Sequence, residues 1–307
     1  MPRSSVTSEA VRRALLGKRR SRRDWWFEGL LLLSLLFGLA VLVTLMVELF
    51  GDGWVVLSER GTDFLTSNLS SLPSRAGVRQ GLIGSLMLMG FVVVLAFPIG
   101  IAAALYMEEY ARDTRLSRFI NANIRNLAGV PAIVYGILGL VIFQTRLSGV
   151  LGNRSLLIGG LTMSILVLPI VIITAAEAIR AVPSGIREAG YGVGATKWEV
   201  VRSHVLPYAA PGIFTGSILT LSRAIGETAP LIMVGSVTGF LSISSDSFLE
   251  TLRSQYTALP TIIYTWARRS QIEFGNSTAA AIIVLMTMLL FINAVAILLR
   301  NRYDRKW

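Results

Sequence analysis

The chain has 307 residues, of which 53% are hydrophobic and 15% are charged, with a mean hydropathy of +0.63 and a formal net charge of +11. Soluble globular domains carry about 25% charged residues, so this composition indicates a membrane protein. The absence of cysteine excludes disulfides and thiolate metal sites.

Six apolar segments are long enough to cross a hydrocarbon core of about 30 Å, which takes about 20 helical residues. They lie at 29–50, 80–106, 124–143, 155–179, 208–237 and 277–299. The first is longer than a signal-peptide core and no clear small-residue cleavage site follows it, so we expect an uncleaved anchor. The predicted fold is therefore an all-α polytopic membrane protein with six transmembrane helices.

The placement of Lys and Arg predicts the orientation of these spans. The side that holds both termini carries 20 of the 29 basic residues, the opposite loops carry eight, and Arg223 lies inside a span. Both termini are therefore predicted to be cytoplasmic. The basic stretch KRRSRRDWW (18–26) fits an orienting charge cluster with interfacial tryptophans better than a nucleic-acid patch, so no nucleic-acid partner is expected.

The predicted organisation has four parts. They are a basic cytoplasmic segment at 1–28, the first helix with an external loop at 29–79, a membrane core at 80–300 and a cytoplasmic tail at 301–307. A second external loop, 238–276, contains TALPTIIYTWARRSQIEF, which fits a short re-entrant or interfacial helix or a docking surface. Prolines inside the spans predict helix kinks at Pro98, Pro131, Pro169 and Pro230.

The stretch LSRAIGETAPLIMVG (221–235) places charges inside the fifth span. Arg223 and Glu227 are four residues apart, so on a helix they share a face and can pair. An Arg at bilayer depth usually faces the bundle interior or a water cavity, and its planar fork of donors suits a tetrahedral oxyanion. Thr228 adds a hydroxyl. These residues favour a polar substrate pathway through Arg223, Glu227 and Thr228 over a structural salt bridge that locks two helices, and both interpretations stay open.

The cytoplasmic loop between the fourth and fifth spans is polar, and it reads REAGYGVGATKWEVVRSHVLP (187–207). Pro183 and Ser184 predict the start of a short helix, with Glu188 in its first turn. Three glycines follow, at Gly190, Gly192 and Gly194, and they predict an interruption before a second helix. A second apolar patch is expected from Trp198, Val200 and Val201. This regularity indicates a helix–turn–helix on which another protein docks.

The loop spacing resembles the EAA motif of binding-protein-dependent ABC importer permeases. The motif pattern is EAA, three residues, G, nine residues, I, one residue, LP. This chain matches it with Glu188-Ala189-Gly190, three residues, Gly194, nine residues, His204, one residue and Leu206-Pro207. The chain departs from it at Gly190, often Ala, and at His204, usually aliphatic. His204 is the only histidine, and a polar substitution at a helix end fits it better than a catalytic or pH-sensing role. In that family the loop sits in a cleft of a cytoplasmic ATPase, which implies coupling roles for Glu188, Ala189, Gly190, Gly194, Leu206 and Pro207.

Three further segments resemble permeases of phosphate-specific (Pst) importers. They are NLAGVPAIVYGILGL (126–140), RAIGETAPL (223–231) and TALPTIIYTW (257–266), and ETAPL with the last segment is more similar to the A-type (PstA) than to the C-type (PstC) permeases. The resemblance implies a type I ABC importer permease fold, with an ABC transmembrane type-1 core at 80–300 and its coupling loop at 183–207. It also implies the bacterial or archaeal cytoplasmic (inner) membrane.

The implied partners are a PstC-like second permease, a PstB-like cytoplasmic ATPase dimer and a PstS-like phosphate-binding protein. The chain has no G-x-x-x-x-G-K-[ST] phosphate loop, so ATP and Mg are expected on the partner ATPase, with no cofactor in this chain. The prediction is thus a phosphate permease subunit and not an enzyme.

Alternative functions follow from the same residues. The arginine fork alone does not separate phosphate from sulfate, molybdate or phosphonate. A membrane scaffold or signalling protein would explain the docking loop but gives no reason to bury Arg223 and Glu227. An intramembrane enzyme is disfavoured, because the spans contain no paired-Asp, Ser/Lys or HExxH arrangement.

Overall fold

A computed structural model describes residues 22–236 and 247–303. In this part of the chain the structure is helical, with one isolated antiparallel bridge between Ser155 and Gln255 in place of any sheet. The helices are α1 Arg22–Thr66, α2 Arg79–Tyr110, α3 Arg115–Ala128, α4 Ala132–Arg146, α5 Leu156–Arg180, α6 Ser184–Gly192, α7 Lys197–Gly226, α8 Ala229–Met233, α9 Phe248–Arg253, α10 Leu259–Ala267 and α11 Ile272–Tyr303. A 3₁₀ turn at Pro73–Arg75 and a helical turn at Ser148–Leu151 complete these elements.

Four π-helical turns interrupt the long helices. They lie at Val92–Ala96 and Tyr106–Tyr110 in α2, Leu140–Arg146 in α4 and Val201–Val205 in α7. Such turns insert one extra residue and occur frequently at functional sites. The turn in α7 separates the end of the coupling loop from the membrane span.

Five helices, α1, α2, α5, α7 and α11, are long and apolar enough to cross a membrane, and the bent pair α3 and α4 brings the number to as many as six. This confirms the all-α multi-span prediction. α2, α5 and α11 also match the predicted spans 80–106, 155–179 and 277–299 closely. Side chains of α5 enter two hydrophobic clusters of the core, as do side chains of α2 and α7.

The third predicted span, 124–143, is wrong in its boundary. α3 and α4 meet at an angle of 100°, and Pro131 caps α4 with an extended backbone, ψ 136°. Proline lacks the backbone donor and disfavours helical geometry in the residue before it, so the helix breaks at Gly129–Pro131. α3 has no buried residue and alternates polar and apolar faces, so 124–128 belongs to an amphipathic helix and not to the span.

The fifth predicted span, 208–237, is also divided. α7 ends at Gly226, Glu227 takes an extended backbone with ψ 112°, and the short α8 follows. Pro230 lies in the first turn of α8 and cannot donate to the carbonyl of Gly226, which removes one hydrogen bond from a continuous helix. Residues 237–246 lie outside the described part of the chain.

The four prolines predicted to kink their helices act differently. Pro131 and Pro230 lie at helix breaks, and Pro98 begins the helical segment directly after a π turn. Pro169 lies inside α5 without ending it.

The chain separates into two compact units, residues 1–51 and residues 52–307. In the first unit the helix from residue 23 is exposed along its length, including Trp25 and Trp26 at its start. Most of the predicted N-terminal charge cluster lies outside the described residues. The exposed apolar side chains fit a lipid-facing anchor.

The described part of the second external loop packs partly into the core of the second unit. Leu259, Ile262 and Trp266 of α10 are all at most 2% exposed and pack in one cluster with Phe64 and Phe274. One face of α10 is therefore buried, whereas Tyr264 on the other face is 44% exposed.

The chain entering α10 also contacts α2 closely. The amide of Leu259 donates to Ser85 Oγ at 2.9 Å, and a Cβ on Gly84 would lie 1.9 Å from the carbonyl oxygen of Thr257. Glycine at 84 is required by this contact between two backbones.

Candidate functional site

The coupling loop (183–207) forms the predicted helix–turn–helix. α6 starts after Pro183, the chain turns at Gly194 with φ +83°, and α7 begins behind Thr196, whose hydroxyl caps the amide of Glu199. Glycine is the residue that takes such a φ without strain. Glu188 is the fifth residue of α6, so its predicted position in the first turn is wrong by one residue.

The residues predicted to couple to an ATPase divide into exposed and buried groups. Glu188, Ala189 and Pro207 are exposed, and Leu206 is half-buried at the start of the main segment of α7. Gly190 is buried, and a Cβ there would lie 2.7 Å from Cγ2 of Val200. The third motif position thus packs α6 against α7, while the first two remain available to a partner. Their coupling roles stay predictions.

The apolar surface of the loop differs from the predicted patch. Trp198 is exposed, but Val200 and Val201 are fully buried in the core. Tyr191 and Val193 of the same loop are also exposed, the latter by 85%.

Arg223 and Glu227 form the predicted pair, although only Arg223 lies within the helix. Arg223 Nε donates to Glu227 Oε1 at 3.3 Å, and the two side chains are 55% and 21% exposed. The helix ends between them, and the neighbouring Gly226 has open space beside it. Thr228 is half-buried at the start of α8. The structure thus brings the three predicted pathway residues to one helix break.

Arg223 belongs to an exposed stripe of α7. Tyr208, Thr215, Leu219 and Arg223 are all exposed and are spaced seven, four and four residues apart, which places them on one helix face. In a membrane, an arginine on such a face contacts a water-filled cavity or another subunit, because lipid cannot satisfy its charge. This stripe and the Arg223–Glu227 pair form the candidate pathway face.

One continuous helix joins the coupling loop to this pair. α7 runs from Lys197 to Gly226, so the distance along it from Leu206 to Arg223 is about 25 Å at 1.5 Å per residue.

Sequence reasoning missed the polar contacts that join α7 to α11. Ser222 Oγ donates to Asn293 Oδ1 at 2.8 Å, and Arg300 Nη1 donates to Thr215 Oγ1 at 3.2 Å. It also missed two ion pairs beside the coupling loop, Glu108–Arg180 and Glu109–Arg187. The partners are more than 70 residues apart in the sequence, so no local pattern reveals them.

The described residues contain no group of three or more His, Cys, Asp or Glu side chains that could hold a metal ion. His204 is exposed in the π turn of α7.

Comparison with known proteins identifies the family. The family model of the binding-protein-dependent transport system inner membrane component matches residues 96–307. The chain belongs to this family. The phosphate transport system permease protein PstA 1 of Mycobacterium tuberculosis (strain CDC 1551 / Oshkosh) is 32% identical over 87% of this chain and 85% of its own length. The phosphate transport system permease protein PstC of Mesorhizobium japonicum is 28% identical over 91% and 88%. The resemblance to Pst permeases seen in the sequence is confirmed.

The fold of this inner membrane component is that of ABC importer permeases. A bacterial ABC transporter involved in the import of the acidic polysaccharide alginate matches with a TM-score of 0.63 and 17% identity, over 92% of this chain and 98% of that chain. The predicted type I importer fold is thereby confirmed. The chain is a multi-pass membrane protein of an ABC transport system.

Proposed function

We propose that this chain is the membrane-spanning subunit of an ATP-driven importer that moves inorganic phosphate across the cytoplasmic membrane. One observation carries the proposal. α7 is a continuous helix that starts in the coupling loop and ends at a break three residues after the half-exposed Arg223. The similarity to PstA and PstC proteins supports phosphate as the anion. Both termini lie in the cytoplasm in this proposal, as the basic residues predict.

The proposed path runs along the exposed stripe of α7. A PstC-like second permease covers this face and leaves a water-filled cavity at Arg223, because an exposed guanidinium in lipid would be costly. The guanidinium presents two parallel donors to the phosphate oxygens and stays charged at working pH. Glu227 holds the guanidinium between transport events, so the phosphate competes with a carboxylate already in place. This competition keeps binding weak enough for release.

The proposed driving step comes from the cytoplasmic side. The exposed Glu188, Ala189 and Trp198 dock into a PstB-like ATPase dimer, which binds ATP and Mg. This chain then contributes no catalytic residue of its own. A PstS-like binding protein delivers phosphate to the opposite face, and ATP-driven closure turns the cavity inward.

The test is uptake of labelled phosphate in cells that lack only this chain and receive variants of it. Arg223→Gln should lower phosphate uptake at least tenfold, because it removes a charge-assisted contact of about 1.5–3 kcal/mol. Arg223→Lys keeps the positive charge but loses the planar fork of donors. Its phosphate uptake should therefore lie between that of the unaltered protein and that of Arg223→Gln. The ATPase subunit should still co-purify with each variant.

The matched control is Arg75→Gln, an exposed arginine in the 3₁₀ turn between α1 and α2. This variant should transport normally. Normal uptake by Arg223→Gln would contradict the assignment of the site. Competition by excess sulfate as strong as by unlabelled phosphate would contradict phosphate as the substrate.

A further inference from the structure

Each of the last three residues of α2 contacts a cationic side chain. One of these cations lies at the end of α5, one in α6 and one at the start of α7. The pairs are Glu108 with Arg180 at the end of α5, Glu109 with Arg187 in α6, and the ring of Tyr110 with Lys197, the first residue of α7. The Lys197 ammonium lies 5.1 Å from the centre of the Tyr110 ring, within the range of a cation–π contact. We call residues 108–110 the clasp.

The central contact of the clasp is buried and has several hydrogen bonds. The Glu109 side chain is 5% exposed and the Arg187 side chain is 21% exposed. Arg187 Nε and Nη2 donate to Glu109 Oε1 at 3.0 and 2.8 Å. Arg187 also donates to the carbonyls of Val182 at 2.6 Å and Ile179 at 2.9 Å. The guanidinium therefore joins α6 to α2 and also binds two backbone carbonyls at the end of α5.

This burial makes the joint rigid. Separating this pair leaves the buried Glu109 carboxylate without a compensating partner in a medium that solvates it poorly. α6 therefore cannot move away from α2 without a large energetic cost, and a displacement of the coupling loop carries the end of α2 with it. The Glu108–Arg180 pair is less enclosed, with side chains 15% and 55% exposed, so breaking it should cost less.

α2 leads from the clasp to the candidate pathway. Leu88, Met89 and Val92 pack in the same cluster as Ala224 and Ile225, which directly follow Arg223. The same residues of both helices line a small internal cavity. A shift of α2 therefore acts on the helix turn that carries Arg223.

We propose that Glu109 and Arg187 are positioning residues that transmit displacement of the coupling loop through α2 to Arg223. α2 is then a second mechanical route beside the continuous helix α7. This inference rests on the proposed function, since it assigns a step of the same transport cycle.

The first test uses the complete complex, with its partner permease, ATPase and binding protein, in liposomes. The readout is the number of phosphate ions transported per ATP hydrolysed. Glu109→Gln and Arg187→Gln should each lower this ratio at least tenfold, while the ATPase rate stays within twofold of the unaltered complex. Loss of folded complex alone would lower both rates together and leave their ratio unchanged.

Two further variants sharpen this test. The double variant Glu109→Gln with Arg187→Gln should lower the ratio no more than either single change, because the two residues act as one unit. Asp113→Asn, in the exposed pair with Arg118 outside the clasp, should keep the ratio of the unaltered complex. An unaltered ratio in Glu109→Gln and Arg187→Gln would overturn the proposal, and so would additive losses in the double variant.

A second measurement leaves the clasp intact and does not depend on how its variants fold. Because the chain has no cysteine, spin labels can be attached through Tyr106→Cys in α2 and Gly185→Cys in α6, both at exposed positions. The distance between the labels should be the same in the resting and ATP-trapped complexes, because the clasp moves as one body. A changed distance would overturn the inference. The distance between the labels does not depend on which anion the complex transports. A complex that moves no phosphate would therefore refute the proposed function without refuting the inference about the clasp.

Discussion

Two carboxylate–guanidinium pairs lie at opposite ends of the bundle, and their surroundings differ. Glu109 and Arg187 are 5% and 21% exposed, and Arg187 makes hydrogen bonds to α2 and α5. Glu227 and Arg223 are 21% and 55% exposed and meet in a single contact of 3.3 Å. The chemistry of the two pairs is the same, but burial makes the first a fixed joint. The second remains accessible, and the proposed function has an incoming anion replace its carboxylate.

The largest expected difference is in stability. Glu109→Gln removes the buried carboxylate that pairs with the half-buried Arg187 and should lower the free energy of unfolding by about 3 kcal/mol. Glu227→Gln changes an exposed pair and should cost less than about 1 kcal/mol. Thermal unfolding of the two purified variants in the same detergent measures both effects. Equal destabilisation would show that burial does not distinguish the two pairs.

The next effect concerns the turn of the coupling loop. Gly194 and Gly192 both have open space around them, but only Gly194 has a positive φ, +83°. Gly194→Ala should destabilise the loop by about 1–2 kcal/mol through backbone strain and reduce phosphate transport per ATP. Gly192→Ala lies in α6 and should stabilise its helix by up to about 1 kcal/mol. The same substitution at both positions isolates the backbone effect, and transport per ATP is the measurement. Similar behaviour of both variants would contradict a strained turn at Gly194.

The smallest effect lies beside Arg223. Ser222→Ala removes the hydrogen bond to Asn293 and should cost about 0.6 kcal/mol, the average for such bonds within membranes. The thermal midpoint should therefore fall by far less than for Glu109→Gln. A loss of stability as large as that of Glu109→Gln would mean that the helix around Arg223 is held as firmly as the coupling loop.

Hydropathy predicted most of the spans because it depends directly on local composition. α2, α5 and α11 begin and end within a few residues of their predicted bounds, apart from the longer ends of α11. The errors at the third and fifth spans arose where one proline changes the backbone inside an apolar run. The segments around Pro131 and Pro230 are apolar, so their mean hydropathy stays high although the helix ends at the proline.

The candidate site was predictable only where the pattern is local. The Arg223–Glu227 pair and the loop turn at Gly194 follow from spacing within a few residues. The burial of Val200, which the sequence placed in a surface patch, depends on packing against Gly190. Glu109 and Arg187 are 78 residues apart and meet only because α6 lies against the end of α2. Such contacts depend on the tertiary fold.

The close contact at Gly84 has a consequence for the whole bundle. α2 is joined to the coupling loop by Glu109 at one end, and near its other end its backbone touches the carbonyl of Thr257, just before α10. Without a side chain between them, the two backbones have no compressible layer to absorb a shift. In the proposed cycle, α2 therefore links the position of the chain entering α10 to that of the coupling loop, through a helix that contains two π turns.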